Sequence, residues 1–440
     1  MKPTYLKRSL LSLGAVASAA CVSTGQAQSV DALLDKLVDK GVLTTKEAKE
    51  LREEADKDFT RAYASKSGMP DWVTAFKING DFRPRYEGQW SDNTEAVQRD
   101  RFRYRLRLAM TATLQDHFEI GLRLTSGDAP SGFSTGNPLS GSTTFQDNGT
   151  RKGVFLDLAY AKWYALNGPE WSGNLTVGKM ENPFAFTQVM FDPDYNPEGL
   201  SGQLAYRFND HHSLKLIGGG FVLDELAADT SDPFLVGGQL LWDAKWSDRW
   251  TSSLGVAGLK ITSQDQLTSA AVPDINRGNT RVGGNGAPVA SFNPVVGDAS
   301  VTYTLDSFPL YPTHFPIRLG GEYIYNPGAD SKNSAVAAGL TLGKAGKKGL
   351  WELSYQYRYI EADSWFEELP DDDLNGFYAS DGVYRGGTNL RGHVGKVSYS
   401  PFDSLTFNVL YLYGESISNP NPGDSSSRAS HILVDFVWKF

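Results

Sequence analysis

Five arginines stand at alternate positions: Arg99, Arg101, Arg103, Arg105 and Arg107. Between them lie Phe102, Tyr104, Leu106 and, just beyond, Leu108. A strand repeats its side-chain direction every two residues, so all five cations share one face and the apolar residues share the other. Lys77, Arg83 and Arg85 align the same way in the preceding segment, beside Asp81 and Glu87, and Arg123 follows with Glu119. Guanidinium groups in a row attract anions and bind carboxylates or phosphates in a fork. The same row can also be neutralised by Asp81, Glu87 and Glu119 and serve as a braced wall. Both readings stand, and each can hold for different arginines. Arg207, Arg318, Arg358 and Arg391 are further, less clustered candidates for that face.

The segment 178–202 is a second concentration of chemistry. Its first half is apolar (Phe184, Phe186, Val189, Met190, Phe191) and its acids are Glu181, Asp192, Asp194 and Glu198. So apolar a connection is ill suited to open solvent. Folded against the basic face, it would set acids opposite arginines and create a transverse field that screens solutes by charge and dipole. Packing on a neighbouring subunit is the alternative. The run Asp192-Pro-Asp194-Tyr-Asn196-Pro-Glu198 resembles part of a calcium loop, but Pro197 and Gln203 stand where an EF-hand needs Gly and Glu. An EF-hand is therefore rejected and no metal is assigned, with a looser oxygen-ligand cation site as the lesser alternative; Glu367, Glu368, Asp371, Asp372 and Asp373 read as a solvated loop, with divalent-cation binding near lipopolysaccharide as its alternative. Catalytic signatures are thin. Six histidines occur, with no nucleophile elbow, zinc-protease or phosphate-loop motif. The expectation is a protein that is not an enzyme and needs no cofactor; His393 with an unidentified serine is the remaining hydrolytic alternative.

The elements that position these residues follow from composition and period. The chain has 440 residues, a formal charge of −9, 45 glycines, 12% aromatics and one cysteine. Mean hydropathy is −0.35. The acidic balance argues against a nucleic-acid partner. No apolar run beyond the N-terminus can span a bilayer as a helix. Many glycines and aromatics on a polar average suit a transmembrane β-barrel, which hides its apolar residues in alternation.

Residues 1–27 read as a secretory signal: Lys2, Lys7 and Arg8, an apolar stretch Leu10–Val22, and Gly25-Gln26-Ala27 for cleavage. Their removal leaves a charge of −12 and no cysteine. Residues 28–60 form two short helical stripes (Val30, Leu33, Leu34, Leu37; then Ala48, Leu51, Ala55) broken at Gly41. This hairpin reads as a periplasmic coiled-coil segment, either pairing between subunits or touching the cell wall, or as a solvated hairpin without a partner. Residues 61–75 are a linker.

Residues 76–440 alternate to the end of the chain. Ile432, Val434, Phe436 and Trp438 point one way and His431, Asp435 and Lys439 the other. About sixteen strands are expected, the first near 76–90 and the last near 428–440. Their connections alternate short and long, as in outer-membrane barrels with short periplasmic turns. Burying an arginine on the lipid face costs roughly 2–4 kcal/mol near the midplane, so the arginine face must be the lumen. The short connection 307–314, with Pro309 and Pro312, fits least well.

GKMENPF (178–184) followed by FDPDYNPEG (191–199) resembles the strand-and-loop signature of the Putative porin family, and LLDKLVDKGVLTTKEAKEL (33–51) is similar to the helical prefix of its longer members. That resemblance implies a barrel in the outer membrane, amid lipid and lipopolysaccharide, passing solutes passively as a homotrimer. The expectation is a diffusion channel for small hydrophilic solutes with charge screening at a loop-narrowed constriction. A substrate-selective anion channel, for instance for phosphate, and a structural outer-membrane anchor are the alternatives.

Overall fold

Alternate residues with opposite solvent preference need a sheet whose faces meet different surroundings. The computed structural model describes residues 68–128, 139–227, 229–268, 272, 278–378, 385–418 and 426–440. The signal and helical hairpin expected at 1–60, and the linker as far as 67, lie outside the described residues. The chain divides into units Met1–Ala75 and Phe76–Phe440, and the second is a closed antiparallel barrel.

Sixteen strands make the wall. They are β1 (Val73–Ser91), β2 (Arg99–Leu114), β3 (Phe118–Gly127), β4 (Gly153–Asn167), β5 (Trp171–Lys179), β6 (Glu198–Arg207), β7 (His212–Val222) and β8 (Phe234–Lys245). The ring continues through β9 (Trp250–Ile261), β10 (Val295–Leu305), β11 (Phe315–Tyr325), β12 (Ser334–Gly343), β13 (Trp351–Ile360), β14 (Leu390–Phe402), β15 (Leu405–Ser416) and β16 (Ser426–Lys439). Each pairs with its chain neighbours, and β1 pairs with β16 from Asp81↔Lys439 to Ser91↔Ala429. Closure leaves no strand edge, so every ladder group is satisfied where lipid can offer no hydrogen bond.

The outer face carries exposed Phe102, Leu106, Ile120, Val177, Leu200, Val256, Leu319 and Val397. Such a belt would aggregate in water and is at home in hydrocarbon. Aromatics ring the short-turn end: Phe118 on Trp163, Trp171 on Tyr206, Trp242 near Trp246, Trp250 on Tyr303 and Phe407 on Phe436. Their amphipathic rings suit the membrane–water boundary.

The short connection 306–314 closes differently from an ordinary hairpin. Prolines cannot extend the ladder, and aromatic packing fills the place. Phe308 stacks on Phe315 at 4.0 Å, and the Trp351 indole N–H donates to the Leu310 carbonyl at 2.9 Å. Two loop pieces also join the wall. Thr143–Thr144 pairs with β2 at Arg103 and Tyr104, where β2 outruns β3; Asn375–Tyr378 pairs with the start of β16.

The lumen is not polar all round. Inward-facing Ile217, Phe221, Leu235, Ile261 and Ile324 receive Met180, Val189, Met190 and Phe191 of loop 180–197, together with Trp365, Phe366 and Leu369 of loop 361–374. The barrel therefore holds an apolar core of folded loops against its β7–β13 side. Trp365 is fully buried and donates to the Met190 carbonyl at 3.0 Å. Trp365→Ala should cost about 3–5 kcal/mol of loop docking through the cavity it leaves. Limited proteolysis of the folded protein should then cut in 180–197 or 361–374 while the strands resist. Unchanged protection of both loops would show that the ring does not hold them.

Candidate functional site

β1 and β2 place the predicted cations on one inner wall, and the structure gives most of them carboxylate partners. Asp81 accepts from Arg105 at 3.1 Å and from Arg107 at 2.6 Å. Glu87 is shared by Arg101 and Arg103, the latter at 3.1 Å. His431 on β16 lies 3.3 Å from the same carboxylate, with both side chains buried. Arg85 grips Asp435 of β16 with two parallel bonds of 2.7 and 2.9 Å. Arg123 meets Asp157 and, at 2.7 Å, Glu181. The Glu119 carboxylate instead accepts from Tyr160 and Tyr164. Arg83 is different: its guanidinium donates to the Ser142 hydroxyl at 2.8 Å, and its buried Nε has no hydrogen-bond partner among the described residues. Arg99 and Lys77 extend the row toward either end of the wall and are exposed.

Local irregularities place two of these partners. The pairing of β3 with β4 slips between Arg123 and Leu124, so Asp157 is the extra residue of a bulge. A bulge re-aims a side chain, and this one points at Arg123. Ser142 arrives on the loop piece that covers the overhang of β2.

Loop 180–197 crosses the lumen, and its anchors are specific. The Gln239 amide of β8 both donates to and accepts from Ala185, at 3.0 and 2.8 Å. Glu322 of β11, buried, accepts from the Thr187 N–H and hydroxyl at 2.8 and 2.9 Å. Arg358 of β13 bonds both Gln188 and, at 2.8 Å, Asp371. Backbone bonds from Asp192 N–H to the Leu369 carbonyl (2.6 Å) and from Asp371 N–H to the Gln188 carbonyl (3.0 Å) tie the two loops together. The far half then returns to the basic wall. Asp194 pairs with Arg105 at 3.2 Å, and Asn196 donates to Asp157 at 2.7 Å. A cavity of about 420 Å³ lies toward the short-turn end, lined in part by Asp81, Arg107, Arg123, Tyr160, Glu181 and Lys439.

The four acids expected on the constriction thus part company. Asp194 touches the β2 arginines and Glu181 touches Arg123 of β3. Asp192 turns away, its carboxylate within 4.8 Å of those of Asp371 and Asp372. Glu198 opens β6 opposite Lys179, which it meets at 2.9 Å, on the strand face shared with exposed Leu200. Among the further arginines, Arg207 borders a second cavity of about 400 Å³ with His211, Asp243 and Lys245. Arg318 donates to Ser300 at 3.3 Å. Arg391 lies on the outer face, as does His393, which pairs with the Tyr355 hydroxyl at 2.7 Å. The acids near Glu367 are buried rather than solvated: Arg281 holds Glu367 at 2.7 Å inside the loop core. Gln239 and Glu322 escaped the reading from sequence; no local pattern sets them apart from Asp243 and Lys245, or from Arg318, on the same inward stripes.

Residues 91–261 match the family model described as Putative porin. No curated relative matches the sequence. Among solved structures, the high-pH structure of OprB from Pseudomonas putida aligns with 86% of this chain and 97% of its own, at 11% identity and a TM-score of 0.51. The outer-membrane channel DcaP of Acinetobacter baumannii aligns with 83% of this chain and 97% of its own, at 11% identity and a TM-score of 0.42.

Burial and the nearby Asp371 push Asp373 up to about 7; burial, Asp371 and Asp372 also push Asp192 well above the usual carboxylate range. Acids whose pKa rises on docking hold protons that the freed loop releases. Their docked state is therefore favoured most below about pH 4 and loses that advantage as pH climbs through 7. Cleavage of loop 361–374 by an added protease should accelerate over that window, and Asp373→Asn should flatten the dependence. A pH-independent cleavage rate would exclude the linkage. Separately, Glu322→Ala leaves two Thr187 donors without their acceptor, at about 1–3 kcal/mol each. It should free loop 180–197 and raise single-channel conductance.

Proposed function

We propose a loop-narrowed diffusion channel of the outer membrane for small hydrophilic solutes and ions, a reading supported by the match of residues 91–261 to the Putative porin model and by the closed barrel. Family and fold point to a channel rather than an enzyme. One observation carries the finer reading. Loop 180–197 is stapled to the far wall by Gln239 and Glu322 and meets the basic wall through Asp194 and Arg105. A solute must pass beside this contact. Selection there is by size and by the few charges that are not cancelled, because paired arginines and carboxylates project little field beyond a Debye length of about 8–10 Å.

This reading differs from a bare row of cations facing acids across water. Direct pairing makes the eyelet closer to neutral, and removing either partner exposes the other. The assembly we propose is a homotrimer in lipid and lipopolysaccharide, seen as conductance steps in threes. A second reading rests on Arg83, whose one hydrogen bond among the described residues goes to a hydroxyl. A cation of that kind favours a selective channel for phosphate-like or carboxylate anions. It predicts saturable block of the current by such anions, lost in Arg83→Gln. Absence of any current from the folded barrel would instead favour a structural anchor acting through residues 28–60.

The deciding measurement is the reversal potential of the purified protein in a planar bilayer under a salt gradient. A unit charge about 4 Å from an ion's path in water is worth about 1 kcal/mol, a factor of about five. Arg105→Gln frees Asp194, leaves Asp81 to Arg107 alone, and should move the permeability ratio toward cations by up to that factor. Asp194→Asn should move it toward anions. An unchanged ratio in both variants would remove the Asp194–Arg105 contact from the conduction path.

A further inference from the structure

Arginine is costly on a lipid-facing wall, yet two strand arginines point outward, side by side. Arg391 opens β14 and Arg428 lies near the start of β16, both facing Glu415 at the end of β15. Arg391 and Arg428 have half or more of their side chains exposed, at 49% and 62%. Their inward neighbours Leu390 and Ala429 are buried. The Glu415 carboxylate holds both: Oε1 accepts from Arg391 at 2.7 Å, and Oε2 lies 3.5 Å from Arg428 Nε. Asp92 accepts from the Arg428 backbone N–H at 2.7 Å.

Height on the barrel gives this patch its meaning. It sits on the rim that carries the long loops. Below it on the same outer face come His393, Tyr413 and Tyr411, and below those Val397, Val409 and Val434. Charge, aromatic and aliphatic residues thus follow one another down three adjacent strands. That order matches headgroup, interface and acyl region of one lipid leaflet. One carboxylate shared by two guanidinium groups holds them together and leaves N–H donors on both for a further anion.

We propose that Arg391, Arg428 and Glu415 form a docking site for the phosphorylated headgroup of an outer-leaflet glycolipid. The two guanidinium groups fork onto phosphate oxygens, and the tyrosines beneath them take the sugar–acyl boundary. The neighbouring Asp92 and Glu415 carboxylates offset the charge of the pair, so recognition rests on the fork geometry of the two guanidinium groups, which suits the several acceptor oxygens of a phosphate. The patch faces away from the lumen and takes no part in conduction.

The test uses the full-length protein folded in detergent, with bis-phosphorylated lipid A as the probe and native mass spectrometry as the readout. Wild type should retain lipid A, and Arg391→Gln/Arg428→Gln should retain at least tenfold less while keeping the same conductance. Dephosphorylated lipid A should bind wild type no better than it binds the double variant. Equal lipid A retention by wild type and the double variant would overturn the proposal. So would equal retention of the dephosphorylated lipid, which would assign binding to acyl chains alone. Loss of oligomer with lipid A retention intact would assign the patch to a contact between copies and also overturn it. Arg391→Lys/Arg428→Lys, which keeps charge and loses the fork, should recover binding only in part.

Discussion

Everything in this molecule depends on closing the backbone ladder in surroundings that offer no hydrogen bonds. The β1–β16 pairing removes the last free edge. Once the ring closes, each strand has an outside set by lipid and an inside set by whatever fills it. The strict period of two then ceases to be a preference and becomes a requirement. A slip of one residue would turn Arg103 and Arg105 into hydrocarbon and Leu106 into the lumen.

Closure also makes the lumen a place where charges must be answered. Arginines gathered on β1, β2 and β3 repel one another, and the structure meets this with Asp81, Glu87, Asp157 and Asp435 from three strands. These pairs sit in the inner wall, where water is scarce enough for attraction to matter and each ion still needs several bonds. The result is a rigid, largely neutral surface on one side. On the other side the inward face is apolar, and loops 180–197 and 361–374 fill it as a small soluble protein fills its own core. The basic wall and the loop core are thus two unlike surfaces. Asp194 on Arg105 is where they touch.

Much of this was legible in advance. The sixteen strands, the alternation of short and long connections, the inward arginine face and the infolding of the apolar loop all follow from period and from the cost of misplacing a side chain. Less could be read of the pairing. Asp157 reaches Arg123 because of a bulge, and no local pattern marks that bulge. Asp435 lies 350 residues from Arg85 in the chain and becomes its partner only because the ring closes. Glu198 reads like its acidic neighbours, yet strand β6 begins at that residue and turns it outward beside Lys179. The acids from Glu367 to Asp373 read as a solvated loop because composition cannot show that Trp365 carries them into the barrel.

By itself the sequence determined what each face must contact, since period two and the price of a charge in lipid act residue by residue. It determined that a barrel would form and that arginines would face its interior. Which carboxylate neutralises which arginine, which acid of a loop meets the wall, and which arginines end outside on the rim were decided only by tertiary structure. Those outcomes rest on ring closure, on a one-residue bulge and on loop packing, which bring together side chains separated by tens to hundreds of positions along the chain.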